Sequence, residues 1–361
     1  MQVYELDFFT LFASEKMEKE SCFAKNSIQT SFIQNLPFAK KHARSYLPLF
    51  PLAIEQFDVT DYPVVISSSS CVAKGILTKP DQFHLCYCYT PMRYAWDLYF
   101  DYLKDFNLKK GFFKRVAATL CLHYLRMWDY QSASRVDAFV AISHFVARRI
   151  KSIYGRDSHV IYPPIDTDYF SLKQQTGGEF YVTASRMVPY KKMDLIIRAF
   201  SKMPGRELIV IGEGSERKKL EQLAKPFSNI KLVGSVDRAD LRTYLQRSKA
   251  FVFAALEDFG IAPLEAQSCG TPVIAFGKGG SLETVVDGTT GLFFNEQTEE
   301  SLCACVNLFE EQSLTFDPSI IRRHAQKFDK KIFQKNFSSY LQQALQDWQE
   351  ENSHREPALA L

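Results

Sequence analysis

Short runs of β-branched and aromatic residues alternate with longer helical patterns from residue 63 onward. This alternation constrains the fold more than any other feature, because strands separated by helix-length segments assemble into parallel sheets covered by helices. The strands predicted in the first half of the chain are 63–67, 83–88, 137–142 and 159–162, and the helices are 113–134 and 143–154. Ser143 is placed to cap the second of these helices.

A second series begins after the segment P-P-I-D-T-D-Y-F at 163–170, where two prolines exclude a helix interior. Its strands are 179–184, 207–211, 230–233, 249–253 and 272–276, and its helices are 192–202, 215–225, 238–247 and 262–268. The sequence therefore predicts an α/β protein with two Rossmann-like parallel-sheet domains, 1–162 and 163–330, that face a cleft. Residues 331–361 are predicted to form a helix packing back toward the first domain, followed by a frayed tail. Ligands of such sheets bind at the carboxyl ends of the strands.

The first domain departs from this pattern at its start. Residues 1–35 give at most one strand, at 8–12, and the first glycine of the chain is Gly75. A nucleotide-binding sheet usually opens with a strand and a glycine-containing turn. We therefore expect a first domain that lacks its opening strand and glycine-rich turn.

Composition excludes several classes of protein. A net charge of +3, with 20 Lys and Arg against 15 Asp and Glu in residues 1–160, is too weak for a nucleic-acid partner. No run approaches 18 apolar residues, and the acidic start of the chain does not resemble a secretory leader. The eight cysteines form no C-x-x-C pair, as expected for buried thiols in a reducing compartment. We expect a cytoplasmic protein, at the inner face of the cell membrane if it meets a membrane at all.

Positive charge follows the first strand of the second series. Arg186 closes that strand and Lys191 lies just before the next helix. A guanidinium and an ammonium beside a helix N-terminus suit a diphosphate, although solvated surface charges would give the same pattern. The next strand ends in I-V-I-G-E-G, where Gly212 and Gly214 could bring backbone close to a ligand or simply form a tight turn.

Two glutamates eight residues apart, Glu257 and Glu265, enclose the segment D-F-G-I-A-P-L. Pro263 suits a first helical position, so Glu257 is placed on the loop and Glu265 inside the helix. The amides at the helix start, which would point toward a phosphate, belong to Gly260, Ile261 and Ala262. Carboxylates on both flanks can accept hydrogen bonds from sugar and ribose hydroxyls, whereas the alternative is an ordinary acidic first turn.

Taken together, these motifs resemble the retaining glycosyltransferases of the GT-B fold in the large family-four class, over residues 63 to about 330. The resemblance is carried by I-Y-P-P-I-D-T-D-Y-F, S-R-M-V-P-Y-K-K, V-I-G-E-G and E-D-F-G-I-A-P-L-E. It implies that Arg186 and Lys191 hold the diphosphate of a nucleotide-sugar donor, that Glu257 meets the donor sugar and that Glu265 meets the ribose. The further donor-binding residues that it implies are Gly212, Glu213, Gly214, Val236, Phe259, Gly260, Ile261 and Ala262.

The stretches T-P-M-R-Y-A-W-D at 90–97 and L-R-M-W-D-Y at 125–130 are similar to bacterial mannosyltransferases of lipopolysaccharide O-antigen assembly. That subgroup implies GDP-mannose as donor and a glycan or lipid-linked acceptor. The family implies no cofactor and no metal. The D-x-D at 166–168, a metal motif in other glycosyltransferases, is expected to make turn hydrogen bonds instead.

The resemblance places Arg93, Tyr94 and Asp97 on the acceptor side, and Arg93 and Asp97 are spaced to pair on one helix face. Tyr89 stands where family members often have a histidine that contacts the donor sugar, so it is included among the catalytic candidates with Arg186, Lys191 and Glu257. Its presence and the missing opening turn motivate a second hypothesis, a catalytically impaired donor-binding paralogue that supports a partner glycosyltransferase. A GT-B-fold epimerase would need acid and base side chains that the sequence does not reveal.

A basic and aromatic surface is predicted between residues 102 and 128. Its members are Lys104, Phe106, Lys109, Lys110, Phe112, Phe113, Lys114, Arg115 and Val116. This composition suits peripheral contact with an anionic membrane surface, and a solvated helix face is the alternative.

Overall fold

The structure is a computed structural model that describes residues 6–14, 28–39, 43–100, 102–103, 111–172, 178–312 and 316–353. The chain forms two compact units. The first unit comprises residues 1–142, 146–160 and 340–361, and the second comprises 143–145 and 161–339.

The main sheet of the first unit is parallel, with the strands in chain order. They are β3 (Val64–Ser69), β4 (Phe83–Cys88), β5 (Ala138–Ala141) and β6 (His159–Val160). All six residues of β4 are buried, as expected of an apolar strand covered on both faces. The helices are α1 (Phe50–Ile54), α2 (Gly111–Ser132) and α3 (His144–Tyr154), whose first two residues are grouped with the second unit. The predicted strands and helices are confirmed to within a few residues at their ends.

A separate pair of parallel strands precedes this sheet. Strand β1 (Phe8–Thr10) lies within the predicted strand, whereas β2 (Ile28–Thr30) was not predicted. Only three residues long and half exposed, β2 lacks the apolar run that marks a buried strand.

A buried ion pair lies inside the first unit. The carboxylate of Asp129 accepts hydrogen bonds from Lys74 Nζ at 2.6 Å, Trp96 Nε1 at 2.8 Å and Tyr154 Oη at 2.9 Å. Lys74 Nζ also donates to Ser132 Oγ at 2.8 Å. Because Lys74 and Asp129 are almost wholly excluded from solvent, each charge depends on these partners rather than on water.

The sheet of the second unit is also parallel and has six strands in the order β12-β11-β10-β7-β8-β9. Their bounds are β7 (Phe180–Ala184), β8 (Leu208–Ile211), β9 (Ile230–Gly234), β10 (Ser248–Phe253), β11 (Val273–Phe276) and β12 (Gly291–Phe294). Its helices are α4 (Met193–Ser201), α5 (Arg217–Ala224), α6 (Arg238–Arg247), α7 (Ile261–Ser268), α8 (Ser281–Thr284), α9 (Glu299–Gln312) and α10 (Pro318–Ala325). The predictions for β7 to β11 and for α4 to α7 are confirmed.

Strand β12 was not predicted, because G-L-F-F is short and follows a run that resembles a glycine-rich loop. A Cβ at Gly291 would lie 1.9 Å from the carbonyl oxygen of Val273 on β11. Glycine at this position therefore allows β12 to pair closely with β11.

The order of strands in the second unit reverses at β7. This strand has β8 on one side and β10 on the other, so the chain leaves β7 and β10 toward opposite sides of the sheet. Such a reversal opens a crevice outside the carboxyl ends of the two strands, which is the usual ligand position in an open α/β sheet. Among the predicted donor residues, Arg186 and Lys191 follow β7, and Glu257 follows β10.

The last helix, α11 (Lys330–Ser353), begins in the second unit, and its residues from Tyr340 onward are grouped with the first. Within the first unit, the Tyr340 ring stacks on His159 at 4.3 Å between centroids, and Trp348 lies 5.8 Å from Phe83. The frayed tail was predicted to begin after residue 350, but residues 351–353 continue α11, and 354–361 are outside the described residues. Among the helices that the structure describes, none combines the length and apolar character needed to cross a bilayer.

Candidate active site

The loops after β7 and β10 bring two predicted site residues together. Lys191 ends the short 3-10 turn Pro189–Lys191, and Glu257 follows β10. Lys191 Nζ lies 2.5 Å from Glu257 Oε1, and both side chains are mostly buried, at 16% and 17% exposure. Their 66-residue separation in sequence is closed by the direct pairing of β7 with β10.

The contact between Lys191 and Glu257 is a close ion pair, in which the ammonium lies at hydrogen-bond distance from Oε1. A carboxylate has several acceptor positions, so Glu257 can also accept a hydrogen bond from a ligand hydroxyl. Arg186, on the same loop as Lys191, donates from Nη2 to the Tyr190 hydroxyl at 3.2 Å.

The start of α7 is shaped for close approach to an anion. Gly260 is its N-cap residue and has φ of +114°, which favours glycine. Because glycine has no side-chain oxygen, the amides of Ile261 and Ala262 cannot donate a hydrogen bond to an N-cap side chain. Phe259 itself is buried against Tyr162, with ring centroids 5.5 Å apart. The predicted loop and helix start are therefore next to the Lys191–Glu257 pair in sequence and in the fold.

The glycine turn after β8 has a structural explanation. A Cβ at Gly212 would lie 1.9 Å from the carbonyl oxygen of Ser185, and one at Gly214 would lie 2.3 Å from that of Met187. The turn therefore packs directly against the backbone that carries Arg186. The carboxylate of Glu213 is paired with Arg217.

Val236 lies partly buried against the apolar cluster on one face of the sheet. Contact of Gly212, Glu213, Gly214 and Val236 with a donor stays a prediction.

Glu265 lies inside α7, as predicted. Burial raises the pKa of its carboxyl group to about 7, and the Arg238 guanidinium opposes part of that rise. Arg238 stacks over the Tyr169 ring at 4.4 Å and lies 3.6 Å from the Asp166 carboxylate. A carboxyl group held in this way changes charge near neutral pH.

The raised pKa of Glu265 predicts an unusual pH dependence of stability. As the pH rises from about 4.5 to 7, the unfolded chain releases this proton before the folded chain does, so the contribution of Glu265 to stability falls across that window. We expect Glu265→Gln to be more stable than wild type at pH 8 by on the order of 1–2 kcal/mol, with the gain shrinking toward pH 5. Urea unfolding at both pH values measures this, with exposed Glu351→Gln as control. A gain of equal size at both pH values would contradict the assignment.

The aspartates of the D-x-D segment contact cations of the protein. Asp166 Oδ1 accepts from Lys330 Nζ at 3.0 Å and from the Tyr169 amide at 3.1 Å. Asp168 Oδ2 lies 3.5 Å from Lys331 Nζ. The turn hydrogen bond predicted for this segment is confirmed at Asp166.

The predicted pair in the first unit forms, but on a turn and not on a helix face. Arg93 Nε donates to Asp97 Oδ2 at 3.3 Å. Sequence reasoning missed Arg149, whose Nη2 donates to Asp97 Oδ1 at 2.6 Å and whose Nη1 donates to the Thr90 hydroxyl. Arg149 lies 52 residues from Asp97, so only the tertiary fold brings it there.

The two predicted tyrosines of the first unit differ in accessibility. Tyr89 follows β4 and is 37% exposed, with its ring against the edge of Tyr87 at 5.3 Å. The Tyr94 hydroxyl instead lies 2.7 Å from Cys71 Sγ inside an apolar cluster, and burial raises its pKa well above the usual range. Tyr89 is therefore the more accessible of the two, and both roles stay predictions.

The basic and aromatic surface is described only in part. Lys104, Phe106, Lys109 and Lys110 lie outside the described residues. On the first turns of α2, Phe112 and Phe113 are 74% and 86% exposed, next to exposed Lys114 and Arg115.

Two family models match the chain. Residues 4–169 match Glycosyltransferase Family 4, and residues 164–331 match Glycosyl transferases group 1. Each model accounts for slightly less than half of the chain, and together they extend over residues 4–331.

One individual relative agrees with these matches. The chain is 30% identical over 184 residues to a GDP-mannose-dependent monoacylated alpha-(1-6)-phosphatidylinositol monomannoside mannosyltransferase from Corynebacterium glutamicum. That alignment covers 43% of this chain and 48% of the relative, so less than half of either length is matched.

Two solved structures have the same fold. Sucrose-phosphate synthase from Thermosynechococcus elongatus has a TM-score of 0.72 at 16% identity, over 95% of this chain and 90% of that one. HepE from Anabaena in complex with UDP-glucose has a TM-score of 0.64 at 16% identity, over 90% of each chain. These likenesses confirm the predicted GT-B fold with parallel sheets.

Proposed function

We propose that this chain is a GT-B glycosyltransferase that transfers a hexose from a nucleotide sugar with retention of configuration. The premise is its fold, together with its matches to Glycosyltransferase Family 4 and Glycosyl transferases group 1. The hexose is mannose and the donor is GDP-mannose. The acceptor is a glycan or a lipid-linked glycan used in the synthesis of lipopolysaccharide or another cell-surface polysaccharide.

The observation that carries this proposal is the Lys191–Glu257 pair at the strand-order reversal of the second unit. Lys191 and Arg186 neutralise the departing diphosphate, since positive charge stabilises a transition state most where negative charge develops. The amides at the start of α7 bind a phosphate oxygen. The Glu257 carboxylate, held by its ion pair with Lys191, accepts a hydrogen bond from a hydroxyl of the sugar.

Two similarities support GDP-mannose as the donor. The Corynebacterium relative is described as GDP-mannose-dependent, and residues 90–97 are similar to O-antigen mannosyltransferases. HepE, whose structure holds UDP-glucose, makes a uridine donor the competing choice. Contact with an anionic membrane surface is part of the proposal, since exposed Phe112 and Phe113 adjoin Lys114 and Arg115.

A thermal-shift screen against GDP-mannose, UDP-glucose and ADP-glucose tests the donor. A ligand that binds only the folded chain stabilises it by about 2.7 kcal/mol at a hundred times its Kd, so GDP-mannose should raise the melting temperature by several degrees. A shift with UDP-glucose alone would identify UDP-glucose, rather than GDP-mannose, as the donor. No shift with any of the three would contradict donor binding.

Radiolabelled transfer to a lipid-linked acceptor then tests the reaction. Donor binding without turnover would favour the impaired paralogue that supports a partner enzyme. Running the same assay with and without anionic vesicles tests the membrane contact, because a peripheral enzyme gains local acceptor concentration at the surface.

A further inference from the structure

The loop that carries Glu257 is held in place through its backbone carbonyls. The Gly280 amide donates to the Glu257 carbonyl at 2.8 Å, and Ser143 Oγ donates to the Asp258 carbonyl at 2.6 Å. Ser143 is fully buried. A Cβ at Gly280 would lie 2.4 Å from Phe259 Cα, so glycine is needed for this approach. Two groups from distant parts of the sequence therefore fix consecutive carbonyls of the loop.

The segment that supplies Ser143 is held by Glu283. Its carboxylate accepts from the His144 amide through Oε2 and from the Phe145 amide through Oε1, both at 2.8 Å. These are the first two residues of α3, where a negative charge is favoured by the helix dipole. Both contacts lie within the second unit. Glu283 is three residues after Gly280. One short stretch of chain therefore holds the loop directly, through Gly280, and also holds the segment that carries Ser143, through Glu283.

Tyr162 completes the arrangement. Its ring stacks on Phe259 of the same loop, with planes 20° apart. Burial, and then the neighbouring Glu283 carboxylate, raise the pKa of its hydroxyl group to about 12, so the hydroxyl stays protonated beside that carboxylate. Glu283 thus lies next to both segments that contact the loop.

We propose that Ser143 and Glu283 are positioning residues for nucleotide-sugar binding, acting through the backbone of residues 257–260. The inference rests on the proposed function, since the loop presents both Glu257 and the first amides of α7 to the donor. Functional side chains need supporting contacts to hold their geometry, and a displacement of about 1 Å can cost a hundred-fold in rate. Loss of either residue frees the loop without removing any group that touches the donor.

The test compares the same substitution, serine to alanine, near the two ends of β10. Ser143→Ala removes the hydroxyl that holds Asp258, at the carboxyl end of β10. Ser248→Ala removes a buried hydroxyl that donates to the Leu245 carbonyl at 2.9 Å, at the opposite end of the same strand. Both lose one buried hydrogen bond to a backbone carbonyl, so similar losses of stability are expected.

Calorimetry with GDP and UDP separates the two variants. Ser143→Ala should weaken binding of whichever nucleotide the wild type binds by about five-fold, as expected for one lost buried hydrogen bond, and Ser248→Ala should change it less than two-fold. Equal affinities in the two variants would overturn the positioning role. Absence of nucleotide binding by the wild type would overturn the proposed function itself, and the positioning role with it.

Glu283→Gln provides a second route if Ser143→Ala does not fold. The amide keeps one acceptor oxygen but turns an NH₂ group toward a backbone N–H, so one of the two hydrogen bonds is lost. We expect a similar loss of nucleotide affinity and a donor KM that rises more than kcat falls. Unchanged affinity in a folded Glu283→Gln variant would also overturn the inference.

Discussion

Replacing Lys191 by alanine should lower kcat/KM for sugar transfer by a hundred-fold or more. The substitution removes the cation next to the departing diphosphate, and single groups that stabilise developing charge contribute about 10²–10³ to the rate. It also leaves the Glu257 carboxylate, 2.5 Å away in the wild type, without its cationic neighbour. Lys191→Arg should recover only part of the activity, because a planar guanidinium does not replace a compact ammonium at the same position.

Lys192→Ala is the matched control, since it removes the same charge at the adjacent residue. Lys192 is exposed and has φ of +55°, which turns the chain between the 3-10 turn and α4. We expect Lys192→Ala to stay within about three-fold of wild type, because exposed charges are screened by solvent and salt. Initial rates at saturating and limiting donor measure both variants, and circular dichroism verifies that they fold. Equal losses in the two variants would show that general positive charge, rather than Lys191, supports transfer.

Local sequence was sufficient for the framework of this site. Apolar runs bounded by glycine predict β7 to β11, and the adjacency of β7 and β10 then places Lys191 beside Glu257. The same local view gave an incomplete account of Gly212 and Gly214, which are explained by close packing against the backbone of Ser185 and Met187.

Contacts between distant residues were beyond the reach of sequence patterns. Ser143 was expected to cap α3 and directly precedes that helix, but nothing near it in sequence predicts that its hydroxyl donates to a carbonyl 115 residues away. The amides of His144 and Phe145 are bonded by Glu283, which lies 138 residues or more from them. Nothing in the sequence near either end marks such a pairing, because any buried carboxylate can accept from any helix N-terminus.

The core of the first unit gives the largest predicted effect on stability. Asp129→Asn should destabilise the folded chain by about 3–5 kcal/mol, because it leaves the buried Lys74 ammonium without a compensating charge. The amide must also fit a pocket where the wild-type carboxylate accepts hydrogen bonds from Lys74, Trp96 and Tyr154. An NH₂ group turned toward any of these donors would lose that hydrogen bond.

Two further variants separate charge from packing at Asp129. Asp97→Asn weakens two ion pairs, with Arg93 and Arg149, in which the carboxylate is 40% exposed, so it should cost less in urea unfolding than Asp129→Asn. Adding Lys74→Met to Asp129→Asn removes the stranded cation with little change of volume and should recover a large part of the lost stability, because apolar replacement of a buried ion pair is often close to neutral. If the double variant were no more stable than Asp129→Asn alone, the loss would come from the hydrogen bonds of Trp96 and Tyr154 rather than from the unpaired charge.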